Sequence, residues 1–279
     1  LVSMVVRLLV TQEVFPMSHG QDFTCFPCHC SGNADSAGQQ IDSCTLAAVL
    51  RQKQVNLAAK NITAVDPKAF SSLRHVQRLS LANNSLIHLP PGLFQGLSSL
   101  KQLDLTLVEL ETLHEDSFLG LDQLKLLAMS GNQLSELSAA TLRHLPLLEE
   151  LLLGGKIDKD RQKMASGNCI KELGAIFGHN DHLQRIDLTE NKLQKIDPAT
   201  FAGLKKLRWL SLSLNNLTTI PAGTFQGLDQ LEVVYMAWNK LTTIPEGTFQ
   251  GLGQLQKLDL HRNKLTTVNS GHSLCTATS

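Results

Sequence analysis

An α/β solenoid, curved into a horseshoe with a parallel β-sheet on its inner face, is the fold class this sequence predicts. Three observations predict it: a surplus of leucine, a 24-residue period, and a column of phenylalanines carried by that period. Leucine supplies 52 of the 279 residues, beside only two Trp and one Tyr. Such a surplus comes from a repeated template rather than from an ordinary core. The pattern LxxLxLxxNxLxxL starts at Val76, Leu100, Leu124, Leu148, Leu183, Leu207, Leu231 and Leu255. Every step is 24 residues except the 35 between Leu148 and Leu183. A degenerate copy precedes them, with Val55, Leu57, Ile62 and Val65 in the matching places.

Each template position has a physical reason, and together they make a leucine-rich repeat. The LxL alternation is the period-2 signature of a short strand with one face buried. Stacked coils align these strands into a parallel sheet at about 4.8 Å per coil. The template Asn sits where the chain leaves the strand, and its amide can satisfy turn backbone cut off from water. Asn84, Asn132, Asn191, Asn215, Asn239 and Asn263 hold this place, Asn168 is assigned to the coil with the long step, and Val108 replaces one of them. On the opposite side Phe70, Phe94, Phe118, Leu142, Phe177, Phe201, Phe225 and Phe249 form a second column, read as core. Because this side is bulkier than the strand side, the stack must bend with its sheet inside.

The solenoid is expected over residues 52–268, between an N-terminal extension and cap (1–51) and a short tail (269–279). Cys25, Cys28, Cys30 and Cys44 cluster before the first coil. Two disulfides, a zinc site and a haem attachment (Cys25-Phe26-Pro27-Cys28-His29) all fit that spacing. Disulfides are favoured, because a solenoid must cover its first coil and a small knotted cap does so without its own core. Disulfides imply an oxidising, extracellular setting, and sequons at Asn61, Asn83 and Asn216 agree with it. The run Leu1–Val10, broken by Arg7, is too short to span a bilayer. It reads either as a signal-peptide remnant or as an ordered extension on the cap.

At the other end no second cysteine-rich cap is expected. A bare last coil exposes apolar edge, so either the chain is truncated there or something covers it, another copy of itself or the 269–279 segment. Cys169 and Cys275 lie about four coils apart, too far for a disulfide. The 35-residue step places about eleven extra residues at 154–167, a charged loop flanked by glycines that leaves the solenoid just after a strand.

Lys plus Arg and Asp plus Glu both number 25, so net charge is zero and the basic surplus of a nucleic-acid binder is missing. No phosphate-cradling loop, zinc-protease helix or nucleophile elbow is present. Asp187 and Glu190 resemble an acid pair, but an open concave sheet should leave their pKa values unperturbed. The chain is therefore read as a non-enzyme that needs neither cofactor nor metal.

A binding role is written in the side chains that flank the LxL leucines, which point onto the concave sheet. The outer column is Gln54, Arg78, Gln102, Leu126, Glu150, Arg185, Trp209, Val233 and Lys257. The central column is Asn56, Ser80, Asp104, Ala128, Leu152, Asp187, Ser211, Tyr235 and Asp259. Thr106, Thr189, Ala237 and His261 follow, with Glu190 and Trp238 one place beyond. Both tryptophans and the lone tyrosine thus fall on consecutive coils of a face where packing does not demand them. With Asp104, Glu150, Asp187, Glu190 and Asp259 around them, they make an acidic, aromatic hollow of the composition expected of a binding hot spot.

The cysteine cap followed by LTTIPxGTFQGLxxL repeats resembles the extracellular leucine-rich repeat receptors, most tightly the variable lymphocyte receptors of jawless vertebrates and their relatives in basal chordates. The resemblance runs from about Cys25 to Val268. It implies Cys25–Cys30 and Cys28–Cys44 pairing and immune-type recognition of a protein or glycan antigen, including bacterial surface molecules, on the concave sheet. The chain departs from that family by carrying its insertion in a central repeat and lacking the C-terminal cap. Small proteoglycans and neuronal adhesion proteins share the repeat, so an adhesion or matrix role is the alternative.

Overall fold

The computed structural model describes residues 53–158, 163–165 and 167–266. The strands, in chain order, are β1 (Gln54–Asn56), β2 (Arg78–Ser80), β3 (Gln102–Asp104), β4 (Leu126–Ala128) and β5 (Glu150–Leu152). Then come β6 (Lys156–Asp158), β7 (Lys163–Ala165), β8 (Glu172–Leu173), β9 (Arg185–Asp187) and β10 (Lys195–Ile196). Last are β11 (Trp209–Ser211), β12 (Val233–Tyr235) and β13 (Lys257–Asp259). Nine of these form one parallel sheet in the order β1-β2-β3-β4-β5-β9-β11-β12-β13. Register runs straight across it: Gln54, Arg78, Gln102, Leu126, Glu150, Arg185, Trp209, Val233 and Lys257 are successive partners. The expected horseshoe and both concave columns are therefore present as read.

A ladder of amides locks each coil to the one before it. Asn215 Oδ1 accepts from the Leu193 N–H at 3.0 Å, while its Nδ2 donates to the carbonyls of Leu188 (2.9 Å) and Leu212 (3.0 Å). Asn84, Asn132 and Asn239 repeat the geometry, and Asn168 joins it by donating to Met129 O and Leu153 O and accepting from Leu134 N. Where Val108 stands in the ladder its own backbone substitutes: the Leu86 N–H donates to Val108 O at 2.7 Å. That coil has a second left-handed residue, Glu109, which the first coil matches at Asn61.

The convex side is built from successive tight turns, with one helical turn, α1 (Ala139–Leu142), capped by Ser138 Oγ accepting from Thr141 N. The α part of the solenoid is thus confined, among the described residues, to a single turn. Phe70 stacks on Phe94 (6.0 Å), and Phe177, Phe201, Phe225 and Phe249 stack in a row at 5.7–6.4 Å. All but Phe249 of the column's phenylalanines are fully buried. In the last described coil Leu255, Leu258, Leu260 and Leu265 are only half-buried.

The insertion is not an irregular loop. It forms an antiparallel hairpin, β6 on β7, with Lys156 opposite Ala165. Its roots are glycines for a steric reason. A Cβ on Gly154 would meet the Asp187 carboxylate, and one on Gly167 would overlap the Glu190 carbonyl. The residues expected to form the disulfide cap (Cys25, Cys28, Cys30, Cys44), Cys275 and the 269–279 tail with its self-association edge lie outside the described residues.

Candidate ligand-binding face

The concave columns divide into three zones. Strands β1 to β3 present Gln54, Asn56, Arg78, Ser80, Gln102 and Asp104, which with Leu126, Ala128 and Leu152 line a shallow hollow of about 410 Å³. Leu126, Ala128 and Leu152 form an apolar middle zone. The C-terminal zone holds Arg185, Asp187, Trp209, Tyr235, Lys257 and Asp259. Asp104 is therefore not part of the aromatic cluster: Ala128 and Leu152 separate it from Asp187 in the same column. Glu150 is closer, paired in register with Arg185.

In the C-terminal zone every ring carries a cation. Trp209 and Tyr235 are tilted neighbours with centroids 5.7 Å apart. The Arg185 guanidinium lies 3.6 Å from the Trp209 centroid, and Lys257 Nζ lies 4.9 Å from that of Tyr235. Trp238 stands at the rim, edge-on to His261 at 6.2 Å and under Arg262 at 5.2 Å. Such contacts are worth about 0.5–2 kcal/mol each and hold long side chains flat on the rings. The hollow is thus a mosaic of both signs rather than the acidic surface composition suggests. Arg185 and Lys257 could have been found by reading the outer column across neighbouring coils, since they flank Trp209 and Val233 in register.

The aspartates have a structural task as well. Asp104, Asp187 and Asp259 each end a strand, and their Oδ1 atoms accept from the N–H two residues on, at 3.0–3.1 Å. Asn56 does the same for Ala58. This side-chain turn satisfies a backbone donor as the strand ends. Asp259 Oδ1 also meets His261 Nδ1 at 2.6 Å. Partial burial works to raise the Asp259 carboxyl, but the His261 hydrogen bonds and the nearby Lys257 charge outweigh it and hold the group below its ordinary value.

Glu190 departs from expectation. Partial burial raises its carboxyl above the ordinary glutamate value, with the root of the hairpin at Gly167 packed against its backbone. The sheet is thus less open at Glu190 than expected.

Glu190 also belongs to a rim column not evident from spacing alone. Ala59, Asn83, Leu107, Glu190, Leu214, Trp238 and Arg262 occupy the same template place and all have φ between 54° and 57°. Each N–H from Ala59 to Trp238 donates to a carbonyl of the next coil, as in Trp238 N to His261 O at 3.0 Å, so the turn imposes the left-handed backbone. For a non-glycine residue this costs about 1–2 kcal/mol. Trp238 is 51% and Leu214 38% exposed, so neither is kept there by packing. Leu214, missed in the sequence, extends the rim beside Trp238.

Comparison with known proteins gives a consistent picture. The profile of the family described as leucine rich repeat matches residues 53–107, 103–155, 181–241, 210–265 and 232–275. Among solved structures, one similar chain comes from a TLR13 complex with the single-stranded RNA ssRNA13 (TM-score 0.66, 27% identity, 78% of this chain and 34% of that one). Another is an internalin of Listeria monocytogenes (TM-score 0.63, 20% identity, 82% of this chain and 60% of that one). The chain thus spans less than two thirds of either. No curated protein sequence matches significantly. Among the described residues no helix is long and apolar enough to cross a membrane.

Proposed function

This chain belongs to the leucine-rich repeat family, and from that premise we propose that it is a non-enzymatic recognition module of immune type. It binds a protein or glycan antigen, including bacterial surface molecules, through the C-terminal zone of its concave sheet. One observation carries the reading: Trp209 and Tyr235 sit in contact on the solvated side of strands β11 and β12, outside the core, with Trp238 held in a costly backbone conformation beside them. The turn imposes that backbone at the same place of other coils, but a half-exposed Trp is not needed there for packing. Aromatics flanked by charge that a partner can cover are what binding hot spots are made of.

The reading extends to an extracellular protein of the variable lymphocyte receptor type. The four N-terminal cysteines and the sequons at Asn61, Asn83 and Asn216 support it, and the resemblance implies Cys25–Cys30 and Cys28–Cys44 bridges. Asn61 and Asn83 are exposed on the turn after the strand, as a glycan requires. Mass mapping of the unreduced protein is expected to find all four cysteines oxidised. Stoichiometric zinc with free thiols there would overturn that part. The function itself is tested by binding of the purified chain to intact bacteria and to collagen and cell-surface proteins. Binding to bacteria is expected; binding confined to collagen or host proteins would replace this reading by an adhesion role.

A further inference from the structure

The flank where the chain leaves the concave sheet carries a second ladder, independent of the aromatic zone. The N–H groups of Lys192, Asn216, Lys240 and Lys264 donate to carbonyls of the preceding coil (Ile170, Leu193, Leu217 and Leu241) at 2.8–3.0 Å. These four residues therefore stand in one column at about 4.8 Å per coil. Next to it, Thr242 N donates to Thr218 O and Thr266 N to Thr242 O, aligning a column of exposed threonines. Lys171 and Lys195 extend the field through the β8–β10 pair, where Glu172 offsets part of their charge. All five lysines are exposed, and none forms an ion pair among the described residues. In the N-terminal half the same template places hold Glu109, Glu111 and Glu136, so the flank changes sign along its length.

We propose that this C-terminal flank binds a sulfated polysaccharide, the chain of the polymer lying along Lys192, Lys240 and Lys264 with the threonine hydroxyls as hydrogen-bond donors. Lysines whose backbones are held in register and that form no ion pair among the described residues offer a linear polyanion three to five charges, with Lys192 Nζ giving up only its 3.2 Å contact to Cys169 Sγ. Releasing the polymer's counterions then drives binding. A membrane is the poorer match, because among the described residues the C-terminal part of the lysine and threonine columns holds no exposed large apolar side chain: Ile87, in the threonine register, lies in the N-terminal half, and Leu214 and Trp238 stand at the rim toward the sheet. RNA is poorer too, because no aromatic lies in these columns for bases to stack on.

The test is retention of the full chain on immobilised heparin, in an Asn216→Gln background that removes the sequon within the lysine column without adding charge. The Lys192→Ser/Lys240→Ser/Lys264→Ser variant is expected to bind at least about tenfold more weakly at physiological salt. Its salt slope should fall by about one unit per lysine. Lys→Arg at the same three positions should keep the affinity, and Lys68→Ser/Lys205→Ser/Lys206→Ser, on the convex side, should change it less than about twofold. Trp209→Ala/Tyr235→Ala should leave it unchanged, which separates this site from the concave one. Absence of salt-dependent retention would overturn the proposal. So would equal loss in both lysine-to-serine triples, or tighter binding of phosphatidylserine vesicles or single-stranded RNA than of heparin.

Discussion

Trp238 and Glu190 occupy the same template place on different coils, and in both the backbone is left-handed because the turn needs the N–H for the next coil. Asn83 fills that place at lower strain, since asparagine tolerates the conformation. Trp238→Asn relieves about 1 kcal/mol of backbone strain while losing the Arg262 and His261 contacts on the ring, so stability should change by no more than about 1 kcal/mol while ligand capture weakens. A drop of more than about 4 °C would instead make Trp238 a packing residue. Glu190 predicts a pH effect of definite sign. Its folded pKa is raised by burial, so its neutral form is favoured in the fold. The contribution is fully present below the ordinary glutamate value near 4.3 and is lost as pH rises through the raised value. Urea titrations across that window should show wild type losing stability relative to Glu190→Gln. Asp259 acts in the opposite sense and lower, its stabilisation disappearing only as pH falls below the ordinary aspartate range. None of this was legible in the sequence. Spacing tells which side a residue faces, whereas left-handed strain and desolvation depend on the neighbouring coil.

The elements were legible where the period held. Strand positions, their register and the Asn ladder follow from the LxxLxLxxN template, and even Asn168 was placed correctly across a longer step. The hairpin was visible only as extra length, because Lys156–Asp158 and Lys163–Ala165 are three residues each, too short for their alternation to announce pairing. Its roots now explain Gly154 and Gly167. Deleting residues 156–167 joins Gly155 directly to Asn168, the place Asn holds in other coils. That variant should melt as cooperatively as the parent by circular dichroism. Gly167→Ala should be the worse change, costing about 2 kcal/mol or more because its Cβ would overlap the Glu190 backbone. If the deletion unfolds the chain while Gly167→Ala is silent, the hairpin is part of the core and the account of its roots is wrong.

At the scale of the whole molecule, the coils support one another only through nearest neighbours, so side chains on the concave face are free of the core's demands. That freedom lets one face carry an apolar middle, a polar N-terminal hollow and a cation-decorated aromatic zone on a single repeated backbone. The sequence placed the columns correctly but not their electrostatics, since Arg185, Lys257 and Arg262 lean onto rings of adjacent or preceding residues rather than standing in solvent. The central claim is that the Trp209–Tyr235–Trp238 zone is the recognition surface. Its most direct test is the affinity of the purified chain for intact bacteria, compared with its Trp209→Ala/Tyr235→Ala/Trp238→Ala variant. The account predicts at least tenfold weaker capture by the variant, which should still melt cooperatively and stay folded at the assay temperature despite the lost cation–π contacts. Undiminished capture by that variant, together with loss of capture on changing Lys68 and Arg74 of the convex side, would contradict it.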